Sequence, residues 1–88
     1  MSQNYPNPFN PETRISYDII NSGNVSINIF DILGRKITTL VNEYKAPGRY
    51  NVIWSGNDAN GNPVGSGVYL YQLKSGSYSK TKKMVLSR

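Results

Sequence analysis

The chain has 88 residues, ten Lys and Arg against five Asp and Glu for a formal charge of +5, and neither Cys nor His. A chain of this length holds one core, because folding units run from about 50 to 250 residues and one this small buries only about 60 to 65% of its unfolded surface. The absent residue types exclude Ser-His-Asp and Cys-His nucleophile systems, His general bases, disulfides, and thiolate or imidazole metal sites.

Tyr5-Pro6-Asn7-Pro8-Phe9-Asn10-Pro11 opens the chain with three prolines. Proline fixes φ and pushes the residue before it into extended geometry, so no helix starts there. Residues 5–11 are read as a polyproline-like or irregular lead-in with Phe9 tucked under the domain as an anchor. Residues 12–88 are read as the β-sandwich of one module spanning 1–88.

From Arg14 onward the apolar residues recur with period two, the pattern of strands with one buried face. Ile15, Tyr17 and Ile19 alternate with Arg14, Ser16 and Asp18, and after Asn21-Ser22-Gly23-Asn24 the residues Val25, Ile27 and Ile29 alternate with Ser26 and Asn28. Asp31-Ile32-Leu33-Gly34 has the Asp and Gly placement of a type I turn. Ile37, Thr39 and Val41 continue the alternation more weakly, and Pro47-Gly48 suits the centre of a type II turn. Tyr50, Val52 and Trp54 then alternate with Arg49, Asn51 and Ile53, and Trp54 is assigned to the core because aromatic rings dominate apolar packing.

Asp58-Ala59-Asn60-Gly61 offers one carboxylate where a calcium loop needs several oxygen ligands, so an Asx turn supporting the Asn60-Gly61 bend is expected instead. Val68 to Leu73 is apolar on both faces, as a central strand is. Tyr69 and Tyr71 share one face, as buried rings with satisfied hydroxyls or, alternatively, as a sugar-stacking platform. Past Ser75-Gly76, Tyr78, Lys80, Lys82, Met84 and Leu86 face one way and Ser79, Thr81, Lys83 and Val85 the other. Lysines within a strand mark a sheet edge.

The sum is an all-β, immunoglobulin-like β-sandwich of six or seven short antiparallel strands. Apolar runs fall far short of the ~18 residues of a membrane-spanning helix, and no basic leader precedes one. If the module is secreted, its export signal is expected on a longer precursor, with Met1-Ser2 an added start. Lys80, Lys82, Lys83 and Arg88 lie within the last nine positions. They are read as a solvated strand face and frayed end, or as the contact for an anionic partner, with no nucleic-acid role. Glu12, Asp18, Asp31 and Glu43 form no evident pair, which leaves no basis for a two-carboxylate glycosidase. No catalytic residue, cofactor site or metal site is expected.

Seven pieces in order, the Pro-Asn-Pro-Phe-Asn-Pro lead-in, Phe30-Asp31-Ile32-Leu33-Gly34-Arg35, Gly48, Trp54-Ser55-Gly56-Asn57-Asp58, Asn60-Gly61, Gly67-Val68-Tyr69 and the lysine-bearing last strand, run over nearly the whole chain. This pattern resembles the type IX secretion C-terminal sorting domain, type A, and is similar to the Ig-like domain of the flagellar hook-capping protein. The resemblance implies a domain that addresses an N-terminal passenger from the periplasm to an outer-membrane translocon, after which a sortase commonly removes it and the passenger stays at the surface or is released. It also implies that the lysine-bearing end, here Lys82 and Lys83, is needed for export; recognition by the translocon is assigned to these lysines and, should their charges not be read, to the loops around Gly34, Asp58 and Gly67. The alternatives are a carbohydrate-binding or passive accessory module of a secreted glycosidase, and a flagellar-type structural domain.

Overall fold

The period-two stretches form six strands in a computed structural model that describes residues 1–88: β1 (Thr13–Ile19), β2 (Gly23–Asp31), β3 (Lys36–Lys45), β4 (Gly48–Trp54), β5 (Gly67–Ser75) and β6 (Tyr78–Leu86). All pairings are antiparallel, β1 with β4 in one sheet and β3-β2-β5-β6 in the other. This is an immunoglobulin-like sandwich. β5 is interior to its sheet and β6 is an edge, as the apolar run and the lysines predict.

Register places the apolar residues on the inner faces. Ile15 lies opposite Val52 and Tyr17 opposite Tyr50, while Ile27 lies opposite Leu73 and Ile29 opposite Tyr71. The buried residues form two clusters along the sandwich. One gathers Phe9, Ile15, Ile29, Trp54, Tyr69, Tyr71, Met84 and Leu86, and the other Tyr17, Ile19, Val25, Ile27, Val41 and Leu73. Full burial of such a side chain stabilises by about 1.5 to 3 kcal/mol, so few positions can be spared in a domain this small.

β3 departs from simple alternation. Its register against β2 skips Leu40 between Val41 and Thr39, and Ile37 between Thr38 and Lys36. Each irregularity adds a residue and shifts the phase. Thr39 therefore does not share a face with Ile37 and Val41. It lies exposed and donates to Asn28 Oδ1 at 2.6 Å, whereas Ile37 and Leu40 pack against the core.

The proline-rich lead-in is an irregular strap joining the two sheets. Ser2 N donates to Ser16 O at 2.9 Å, and Tyr5 and Arg14 exchange backbone bonds of 2.9 and 2.8 Å along the free side of β1. Farther on, Phe9 N donates to Val85 O at 3.0 Å and Ser87 N to Phe9 O at 2.9 Å. Asn7 Oδ1 accepts from Val85 N at 3.0 Å, and Gln3 Nε2 donates to Lys83 O at 2.9 Å. The strap is engaged from Ser2, and Met1 packs against both clusters. Phe9 is 1% exposed, its ring 5.6 Å from that of Trp54.

Candidate interaction surface

The aromatic residues assigned to the core are there, with their polar atoms satisfied. Trp54 is 2% exposed, donates from Nε1 to Asn57 O at 2.9 Å, and meets Tyr69 edge-on at 5.3 Å. Tyr69 donates its hydroxyl to Gly65 O at 2.7 Å. The Tyr71 hydroxyl donates to Ser2 O at 3.0 Å and accepts from Asn4 N at 2.9 Å. Burial raises the hydroxyl pKa of both tyrosines above the ordinary range. Rings placed this way offer no sugar-stacking platform.

Asp58 makes the expected Asx turn. Its Oδ1 accepts from Asn60 N and Asn62 N, both at 2.9 Å, and its carbonyl accepts from Gly61 N at 3.0 Å. Ala59 N donates to Ile37 O at 3.1 Å, which ties this loop to the start of β3, just past the turn at Gly34.

The 31–35 turn is fixed by its own backbone and one carboxylate. Gly34, with φ at 85°, donates to Asp31 O at 3.0 Å, and Asp31 N donates to Arg35 O at 3.0 Å. Asp31 Oδ1 accepts from the amides of Leu33 and Arg35 at 2.9 and 3.0 Å, and Oδ2 from Arg35 Nε at 2.8 Å. The Arg35 amide, followed by its guanidinium and the Leu33 amide, holds the Asp31 carboxyl below the usual carboxylate range. Ile32 and Leu33 stand in solvent at the tip, 68% and 76% exposed. Beside the turn, Ser66, Gly67, Val68 and Tyr69 form the other wall of a shallow cleft of about 220 Å³.

Gly34, Asp58 and Gly67 thus belong to loops gathered at one end of the sandwich. Lys82 and Lys83 are not part of a single charged cluster. Lys82 lies opposite Tyr71 on the inward side and is half-buried, while Lys83 lies opposite Leu70 on the outer face and is exposed. The backbone of β6 is also less open than an edge strand suggests, because the strap occupies groups of Lys83, Val85 and Ser87.

Arg88 is not a frayed end. Its Nε donates to Val64 O and Nη2 to Gly56 O, both at 2.6 Å, and its amide donates to Ser66 Oγ at 2.9 Å. Gly56, with φ at 74°, leaves room for this: a Cβ there would lie 2.7 Å from Arg88 Nη2 and 3.1 Å from Pro11 O. Asn4 and Thr13 are the buried polar side chains. Asn4 Nδ2 donates to Thr13 Oγ1 at 2.9 Å and Thr13 Oγ1 to Pro6 O at 2.9 Å, which pins the strap to β1. Extending the β1 alternation back from Ile15 finds Thr13, whereas no local pattern marks Asn4.

Two facing sheets laced by an N-terminal strap, with fixed loops at one end, define an immunoglobulin-like module. The chain belongs to the secretion system C-terminal sorting domain family, whose model matches residues 3–87. Among solved structures it is similar to PorZ of Porphyromonas gingivalis, an essential bacterial surface component of the type IX secretion system, at 27% identity and a TM-score of 0.70 over 98% of this chain and 11% of that one. It is similar in fold to dimeric latent PorU of the same organism, at 21% identity and a TM-score of 0.73 over 96% of this chain and 9% of that one. FlgD of P. aeruginosa matches at 25% identity and a TM-score of 0.66 over 84% of this chain and 58% of that one. The chain thus spans between about a tenth and somewhat over half of the length of these proteins. No curated protein matches it. Family membership assigns a role in secretion targeting, to the cell surface or extracellular space, within a group of non-catalytic sorting signals. No helix is long and apolar enough to cross a membrane.

Proposed function

We propose that the module addresses a passenger joined to its N-terminal side, in transit through the periplasm, to the type IX outer-membrane translocon for delivery to the cell surface, and catalyses nothing itself. The observation that carries this reading is the family match over residues 3–87, nearly the whole chain. Its partners are the passenger, the translocon and the sortase that later separates them. The recognition surface is the loop end bearing Gly34, Asp58 and Gly67 together with Lys83, while Lys82 contributes less because its side chain lies inward. A translocon strand adding to β6 between Lys83 and Ser87 would first have to displace the strap, so the exposed side chains are the readier signal.

The test is surface delivery of a reporter fused ahead of the module in a type IX-competent bacterium. Lys82→Gln/Lys83→Gln should melt within a few degrees of the parent, because Lys83 is exposed, where substitutions usually shift stability by less than about 0.5 kcal/mol, and Gln keeps most of the aliphatic stem of the half-buried Lys82, yet deliver less reporter. Of the single variants, Lys83→Gln should account for most of the loss. Undiminished delivery of the folded double variant would remove these charges from recognition.

A further inference from the structure

The outer face of the four-stranded sheet changes character along its length. One cross-strand row reads Thr39, Asn28, Gln72, Thr81, all uncharged and polar. The next row toward the loop end reads Lys36, Phe30, Leu70, Lys83, an apolar pair with a lysine on each side. Beyond it Val68 pairs with Val85, and Val68 is 37% exposed. The 31–35 turn then adds Ile32 and Leu33. An apolar surface thus continues from sheet to turn and borders the cleft against Ser66–Tyr69.

Two features separate this patch from ordinary exposed apolar residues. The turn that presents Ile32 and Leu33 is held by five hydrogen bonds centred on Asp31, so the two side chains are displayed from a rigid base. Binding to a rigid display orders less of the protein than binding to a mobile loop, which favours affinity. The second feature is charge. Of the two carboxylates at this end, Asp31 is engaged by Arg35 and two amides and Asp58 by the amides of Asn60 and Asn62, so Lys36 and Lys83 set the sign of the rim. The cleft, about 220 Å³, falls below the ~300 to 1,000 Å³ of small-molecule pockets and suits a side-chain anchor.

We infer that the outer-face end formed by Phe30, Leu70, Val68, Val85, Ile32 and Leu33 is a docking surface for a protein segment that presents an apolar side chain flanked by carboxylates. The inference rests on the sorting reading and places that segment on a translocon component. The apolar anchor seats between the turn and β5, and the carboxylates meet Lys36 and Lys83, which select an acidic surface and speed encounter.

The experiment is the same reporter fusion with the full chain, each variant first shown to melt within a few degrees of the parent. Ile32→Ser/Leu33→Ser and Lys36→Glu/Lys83→Glu should each lower surface reporter roughly tenfold or more, the scale of a lost interface anchor. Lys36→Arg/Lys83→Arg should retain delivery. Ile20→Ser and Tyr44→Ser, at apolar residues 84% and 67% exposed outside the patch, should also retain it. Parent-level delivery by the Ser pair or the Glu pair overturns the inference and leaves the sorting reading intact. Failure of the parent fusion to reach the surface overturns both. Sedimentation of the parent with anionic phospholipid vesicles, lost in Ile32→Ser/Leu33→Ser, would reassign the patch to lipid and overturn the protein partner.

Discussion

Trp54 stands where the strap, β4 and β5 meet, its ring against Phe9 and Tyr69 and its indole N–H on the Asn57 carbonyl. Trp54→Ala removes those contacts and leaves the carbonyl without its donor. Truncation of a buried Trp costs about 3 to 5 kcal/mol, against a stability near the lower end of the usual ~5 to 15 kcal/mol for so small a domain. The variant is expected to lose cooperative thermal melting, and a melting temperature within a few degrees of the parent would contradict the packing account. Trp54, Phe9, Tyr69 and Tyr71 were legible in the sequence because alternation or proline punctuation fixes which way a large ring points. Asn4 and Arg88 were not, because the Tyr71 hydroxyl that accepts from the Asn4 amide and the Gly56 and Val64 carbonyls that hold Arg88 lie far away in the chain, and the Asn4 side-chain bond to Thr13 forms only once the strap is laid along β1.

The strap is the element whose role composition conceals most. Three prolines mark it as non-helical, but only the fold places one end on β1 and the other on β6. It thereby protects part of an edge that lysines alone would guard. Asn7→Ala deletes the acceptor for the Val85 amide and weakens the grip of the strap on β6. Faster hydrogen exchange is expected at Val85 and Ser87, with the β2 amides unchanged, because local opening near an edge costs less than global unfolding. Uniform exchange rates in parent and variant would mean that the strap does not guard the edge. β3 was legible as a strand but not in phase. Its two bulges leave the apolar content intact and rotate Thr39 outward, and bulge positions carry no simple residue signature.

For the whole molecule, the buried tyrosines set a limit in alkali. Tyr17, Tyr69 and Tyr71 have hydroxyl pKa values raised first of all by burial. A group that holds its proton more tightly when folded contributes stability below its unfolded pKa, near 10 for tyrosine, and that contribution is lost as pH rises toward the folded value. Melting temperature should therefore fall above about pH 10, and a flat profile through that range would contradict the burial of these hydroxyls. The sandwich itself was legible because period two, turn residues and short strand lengths all point one way. The partner was not, since an immunoglobulin-like fold serves many functions and recognition depends on which exposed residues are brought together. As proposed, this chain is a sufficient address for type IX delivery. The most direct measurement is protease accessibility, on whole cells, of a reporter that carries an export signal at its start and this chain at its end, compared between a host with an intact type IX translocon and one in which it is disrupted. The reporter should be surface-exposed in the first host and retained in the periplasm in the second; retention in both, or equal exposure in both, would rule out this chain as a sufficient type IX address.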